Sequence, residues 1–243
     1  MNKRITKKFL TITIVIIMTV LLGEFQNNSA YVNINNVQAS ETVRYKMKKI
    51  KEIAKNRTGR TIAEVQCEYP VLKGKKRGIK LINKAIYEDV KMFNKSKKDV
   101  IDSAKINEQN IIEEEVWYKR NICKVTYNKN NIISIRILNS WYAGGTVEDD
   151  YSGYNFYISS GKNVKLKDLL NKSNKKIKNQ VWSKLVKDWV NGDEKSFIKD
   201  QFDNIDVNEY KFYIKEKRVF ICFDKYEIGD GSIGAPVVTF EFK

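Results

Sequence analysis

Three observations predict an α+β fold, an antiparallel sheet with helices packed on one face, arranged as two closely associated subdomains. Apolar residues recur with a period of two in some stretches and of three to four in others. The two kinds of stretch alternate without a regular β-α-β rhythm. No internal repeat or low-complexity linker interrupts them.

The chain opens with Lys3, Arg4, Lys7 and Lys8 ahead of an uncharged run from Phe9 to Gly23, then a polar stretch ending in Val37-Gln38-Ala39. A charged head, an apolar middle and a small-residue exit predict a secretory signal over residues 1–39, cut after Ala39 or alternatively after Ala30. Retention as an uncleaved anchor is the second reading, although a run bracketed by Lys8 and Glu24 falls short of the ~20 apolar residues that span a bilayer. The protein is therefore expected outside the cytoplasm, secreted or held at the cell surface. Residues 40–59 read as a basic arm, residues 60–108 as an N-terminal α+β subdomain and residues 109–243 as a C-terminal α+β domain.

Within the arm, Met47, Ile50, Ile53 and Ala54 fall at roughly helical spacing, predicting a short amphipathic helix or a loosely held segment from Arg44 to Arg60. Ala63, Val65, Cys67 and Tyr69 then alternate with Glu64, Gln66 and Glu68, the pattern of a strand with one buried face, which Pro70 closes. From Ile79 the period changes, and Ile79, Ile82, Ile86, Val90 and Phe93 form the apolar stripe of a helix. Ile111 to Tyr127 and Ile132 to Tyr142 are rich in branched and aromatic residues, and Asn128 to Asn131 between them is turn chemistry, so the pair reads as an antiparallel hairpin. A loop from Ala143 to Ser152 leads to a third strand, Tyr154 to Ile158. Asp168 opens a short helical piece. Ser173 is placed to cap a longer helix with Ile177, Val181, Leu185 and Trp189 on its apolar face, ended by Gly192. A further helical turn carries Phe197, Ile198 and Phe202, and strands follow at Tyr210 to Ile214, Val219 to Phe223 and Val237 to Phe242, with Glu216-Lys217 as a tight turn.

Composition removes several chemistries. The chain has no histidine, which excludes Ser-His-Asp and Cys-His relays, His-ligated zinc and an imidazole base. Three cysteines, Cys67, Cys123 and Cys222, cannot all pair within one chain, so buried free thiols are expected, with a Cys67 to Cys123 bridge as the alternative. Without residues 1–39 the chain holds 41 Lys+Arg against 28 Asp+Glu, a net charge of +13. Outside the cytoplasm such a charge meets wall polymers or lipid head groups rather than nucleic acid, and peripheral contact with a membrane surface fits the same reading. Solubility alone accounts for many of the lysines.

Glu68-Tyr69-Pro70-Val71-Leu72-Lys73-Gly74 and the helical Ile82-Asn83-Lys84-Ala85-Ile86 resemble the N-terminal half of a bacterial extracytoplasmic domain family. Tyr142-Ala143-Gly144-Gly145, Asn155-Phe156-Tyr157, Ser160-Gly161-Lys162, Leu166-Lys167-Asp168-Leu169-Leu170, Phe212-Tyr213, Val219-Phe220-Ile221, Tyr226-Glu227-Ile228, Gly234 and Val237 follow in the order of its C-terminal half. The family is that of the outer part of the anti-sigma factor RsiV, which binds lysozyme, and of the segment ahead of the catalytic domain in the peptidoglycan deacetylase PdaC. The resemblance covers roughly residues 60–243 and implies an α+β fold with a sensing or binding role at the envelope. Two places depart from the family. Thr146-Val147-Glu148 stands where a histidine is often found, and Gly229-Asp230-Gly231-Ser232-Ile233 replaces a Pro- and Ala-containing stretch.

The candidate ligand-binding residues are Trp141, Tyr142, Gly144, Gly145, Glu148, Asp149, Asp150 and Tyr151. The glycines give the segment backbone freedom, the aromatics offer faces for sugar rings or a protein partner, and the three acids stand out in so basic a chain. Against this, Trp141 and Tyr154 are expected in the core, and the acids are expected to keep a loop solvated. No catalytic residue, metal ligand or cofactor is assigned. The carboxylates of Asp224, Glu227 and Asp230 lack the spacing of a known calcium loop, and a Gly-rich turn explains them more simply. The leading expectation is a non-enzymatic binding domain for a wall component or a wall-directed protein such as lysozyme. The alternative is a peptidoglycan-active enzyme with a carboxylate pair.

Overall fold

The computed structural model describes residues 42–190 and 195–242. The segment read as a secretory signal and Gly192 lie outside the described residues, and the helix expected to run to Gly192 stops at Asp188. The fold is α+β, built on a five-stranded sheet and a three-stranded one. In chain order the elements are β1 (Tyr45–Lys55), β2 (Thr61–Leu72), α1 (Arg77–Ile106), β3 (Trp117–Lys129), β4 (Ile132–Tyr142), β5 (Glu148–Tyr157), α2 (Leu166–Leu170), α3 (Asn174–Asp188), α4 (Lys195–Asn204), β6 (Lys211–Lys215), β7 (Arg218–Cys222) and β8 (Val237–Glu241).

The first sheet has the order β1-β2-β3-β4-β5, with every neighbouring pair antiparallel except β2 and β3, which run parallel. The predicted sheet is thus a mixed one. The 30-residue α1 is the cause, because a helix of that length carries the chain from the end of β2 back to the end of the sheet where β2 began. Ile79, Ile82, Ile86, Val90 and Phe93 of its stripe are all buried, packing with Val65, Cys67, Cys123, Ile133 and Ile135 on one face of the sheet.

Several boundaries differ from the sequence reading, and β3 begins at Trp117 rather than at Ile111. Residues 45–55 form β1, not a helix or loose arm. Their lysines are the kind of charged side chain that protects an exposed sheet edge, and they mask the strand period. β2 continues through Pro70 to Leu72, which its position permits, since β3 pairs with β2 only as far as Glu68 and leaves Pro70 a single neighbour in β1. β5 begins at Glu148, so the acidic trio and Tyr151 belong to a strand rather than a loop. The β3–β4 turn, by contrast, is the expected one. Asn130 and Asn131 take φ of 53° and 60°, the left-handed conformation a two-residue hairpin turn requires.

The second sheet has the order β6-β7-β8, all antiparallel. Ile177, Val181 and Leu185 of α3 and Ile198 and Phe202 of α4 bury against Ile214, Val219 and Ile221. Ser173 caps α3 as expected, its side chain accepting from the Lys176 N–H. Trp189, assigned to the apolar face, instead terminates the helix and is partly exposed.

Side chains of β4 and β5 join the two sheets. Ser134 Oγ donates to Asn155 Oδ1 at 2.6 Å, Asn155 Nδ2 donates to the Phe212 carbonyl at 2.6 Å, and the Ile214 N–H donates to Ser134 Oγ at 2.7 Å. Two backbone groups on the edge of β6 facing away from β7, the Phe212 carbonyl and the Ile214 N–H, are thereby satisfied. Gly153 allows this approach, since a Cβ there would lie 2.3 Å from the Phe212 oxygen.

Candidate functional site

At the end of the first sheet, β4 and β5 pair Trp141 with Glu148 and Asn139 with Asp150. On β3, Lys119 lies opposite Trp141 and Asn121 opposite Asn139. Because successive strand residues alternate faces, these six share the face that carries α1. With Asp89, Met92, Phe93 and Ser96 of the helix they enclose a groove of about 340 Å³. Asn121 Nδ2 donates to Asn139 Oδ1 at 2.9 Å, and Lys119 Nζ donates to Ser96 Oγ at 2.9 Å. Tyr154, half-buried against the core as expected, donates its hydroxyl to Asp89.

Trp141 is not in the core. It is 41% exposed and Met92 across the groove is 62% exposed, because the helix residues that reach this last rung are Asp89, Met92 and Ser96 rather than the apolar stripe alone. Asp150 is tied down, its Oδ1 accepting from the Lys225 N–H at 3.0 Å. That bond brings together the two carboxylate clusters seen in the sequence. Beside it Lys211, the first residue of β6, pairs with Asp224 and, at 3.5 Å, with Glu227 of the loop after β7, while Glu227 accepts from the Asp224 N–H at 2.6 Å. Burial raises the Asp150 carboxyl above its ordinary range, with Asp224 and Glu148 adding to the rise and the Lys225 N–H and Lys211 opposing it. Among the described residues no group of acids and cysteines is arranged to hold a metal ion.

Tyr142 and Tyr151, expected beside Trp141, point to the opposite face of the sheet. There the Tyr142 hydroxyl donates to Glu115 Oε1 at 2.6 Å, which holds its proton on, and its ring lies 5.7 Å from that of Tyr118. Tyr151 lies under the Arg136 guanidinium, 5.2 Å from it. Asp149 shares this face and is exposed. Gly144 and Gly145 form the turn between β4 and β5 with φ of 79° and 112°, and Gly144 rests against the Trp117 indole. Of the eight predicted residues, Trp141, Glu148 and Asp150 meet in the groove. The sequence reading missed Asp89, Met92, Lys119, Asn121 and Asn139. Their signal was weak, two asparagines inside strands and a methionine off the apolar stripe of α1.

Comparison with known proteins places this geometry. Residues 57–146 match the family described as deacetylase PdaC, and residues 162–243 match DUF3298, a family of proteins of unknown function. The chain thus joins a region matching the one family to a region matching the other. These are the domains of the PdaC- and RsiV-like proteins that its motifs resemble, and they mark it as associated with the cell envelope. β5, which carries Glu148 and Asp150, lies between the two matched regions. A DUF3298 family member from Bacteroides fragilis has a similar fold, with a TM-score of 0.56 at 16% identity over 84% of this chain and 92% of that one. A DUF3298 protein from Pseudomonas aeruginosa aligns with a TM-score of 0.47 at 10% identity over 83% and 91% of the respective chains. No curated protein matches the sequence. Among the described residues no helix is long and apolar enough to cross a membrane.

Proposed function

We propose that the chain is an exported envelope protein whose groove holds a wall component, or a protein directed at the wall, without transforming it. The carrying observation is the exposed indole of Trp141 beside the carboxylates of Glu148 and Asp150. An exposed aromatic next to fixed polar groups is how both sugar rings and protein side chains are held. The Asn121–Asn139 amide pair adds hydrogen-bonding capacity, and Met92 gives the opposite wall an adaptable apolar surface. The acids favour a ligand with a cationic group, as a basic wall-directed protein such as lysozyme offers. At long range the net charge of +13 over residues 40–243 opposes that encounter, and anionic wall polymer is favoured by the same charge.

The raised carboxyl of Asp150 favours one other reading, hydrolysis by a carboxylate pair. Glu148 and Asp150 lie two residues apart on one strand face, ~7 Å along the backbone, a separation within the range glycosidases use. One experiment separates the two. The purified protein is incubated with labelled peptidoglycan and, separately, with lysozyme, and both soluble product and complex formation are measured. Binding without product is expected, with Trp141→Ala weakening the complex by about 2 kcal/mol, roughly thirtyfold. Product release abolished by Glu148→Gln or Asp150→Asn would replace the binding reading with the enzymatic one.

A further inference from the structure

A second cavity, of about 560 Å³, lies away from the groove, between β5, the segment 163–167, the start of α3 and the turn at 207–210. Its lining is rich in hydrogen-bonding side chains, with Asn163, Asn174 and Asn208 among them. Asn208 uses its N–H and its amide Nδ2 on Asp206, at 2.7 and 2.8 Å, which leaves its side-chain oxygen for another donor. Asn163 is exposed at the rim, and so are Lys165 and Lys167. No aspartate or glutamate lines the cavity.

We infer that this cavity is a second binding site, for a sugar that carries a carboxylate. Asparagine amides donate to and accept from the vicinal hydroxyls of a pyranose, and the volume suits a mono- or disaccharide. Two lysines with no opposing acid supply charge-assisted contacts to the carboxylate. The position fits as well, because the cavity opens where the first sheet meets the second, and junctions between packed units are where ligand sites concentrate. The assignment is independent of the groove, with which it shares only strand β5.

The test is titration of the full-length protein with D-glucuronate and D-glucose, which differ only in the carboxylate, followed by NMR or calorimetry. Saturable binding of glucuronate is expected, about tenfold tighter than that of glucose. Lys165→Gln combined with Lys167→Gln should bring glucuronate down to the level of glucose. Asn163→Ala should weaken both sugars several-fold without lowering the melting temperature, because the amide it removes is exposed at the rim. Trp141→Ala should change neither. Absence of saturable glucuronate binding, equal affinity for the two sugars, or unchanged affinity in both the lysine and the asparagine variants would overturn the assignment.

Discussion

Cys67, Cys123 and Cys222 are free and buried, the reading favoured by their odd count. Burial pushes their thiols up, Cys67 to about 11 and Cys123 and Cys222 to about 12, with neighbouring carboxylates such as Glu68 and Asp224 adding to the effect. The thiolate is the reactive form, so at pH 8 only about one thiol in a thousand to ten thousand is ionised in the native state. Labelling by a thiol reagent should therefore be slow in the folded protein and rapid for all three cysteines in denaturant. A burst of one labelled thiol under native conditions would show that its strand opens locally. Cysteine burial was legible because Cys67 and Cys123 sit on the apolar phase of alternating strands. The exposure of Trp141 was not, because it follows from which side chains of α1 reach the last rung, and strand periodicity carries no information about a helix some fifty residues away.

At the scale of elements, β1 is the segment whose nature the sequence concealed. Its eleven residues are exposed except for Ile50, which is half-buried, and Ala54, which is buried, so the alternation that identifies a strand is nearly absent. The parallel pairing of β2 with β3 was in principle readable, since a strand, a long helix and a strand in succession imply a crossover. Ion pairs help to fix β1 to its neighbours. Lys51 Nζ lies 2.7 Å from Glu64, Arg120 reaches the same carboxylate at 3.5 Å, and Lys97 of α1 pairs with Glu52 at 2.6 Å. The hydrogen bond from Lys51 lowers the Glu64 carboxyl below the ordinary glutamate value; burial opposes this, and the charges of Lys51, Arg120 and Lys49 reinforce it. For an acid with a depressed folded value, the stabilisation is present above the unfolded value and is lost as pH falls through the folded one. Glu64→Gln should thus cost about 1 kcal/mol near neutral pH, the upper end for a solvent-screened pair, and almost nothing in strong acid. Urea unfolding of both proteins at the two pH values measures the difference, and a cost independent of pH would mean that packing, not charge, holds the edge strand.

At the scale of the molecule, two sheets with separate apolar cores behave as one unit only if their junction is costly to open. β5 is that junction, pairing with β4 on one side and meeting β6 through Asn155 and the bare backbone of Gly153 on the other. The alternation of predicted strands and helices indicated two associated halves, but not how they join, because the contact depends on a missing side chain and on two buried polar ones, Ser134 and Asn155, that resemble ordinary surface strand residues. Opening it would leave the Phe212 carbonyl and the Ile214 N–H without their side-chain partners, at about 1–3 kcal/mol for each group that stays buried. Unfolding should accordingly be a single transition. Trp117 and Trp141 report on the first sheet and Trp182 on the second core, so variants retaining one or the other set should share one urea midpoint. Gly153→Val should part the two midpoints, since its side chain meets the Phe212 oxygen and the Tyr213 Cβ, which lie 2.3 and 2.8 Å from where a Cβ would stand. Midpoints that already differ in the unsubstituted protein would show that each half folds on its own core and that the Ser134–Asn155 bonds only align them.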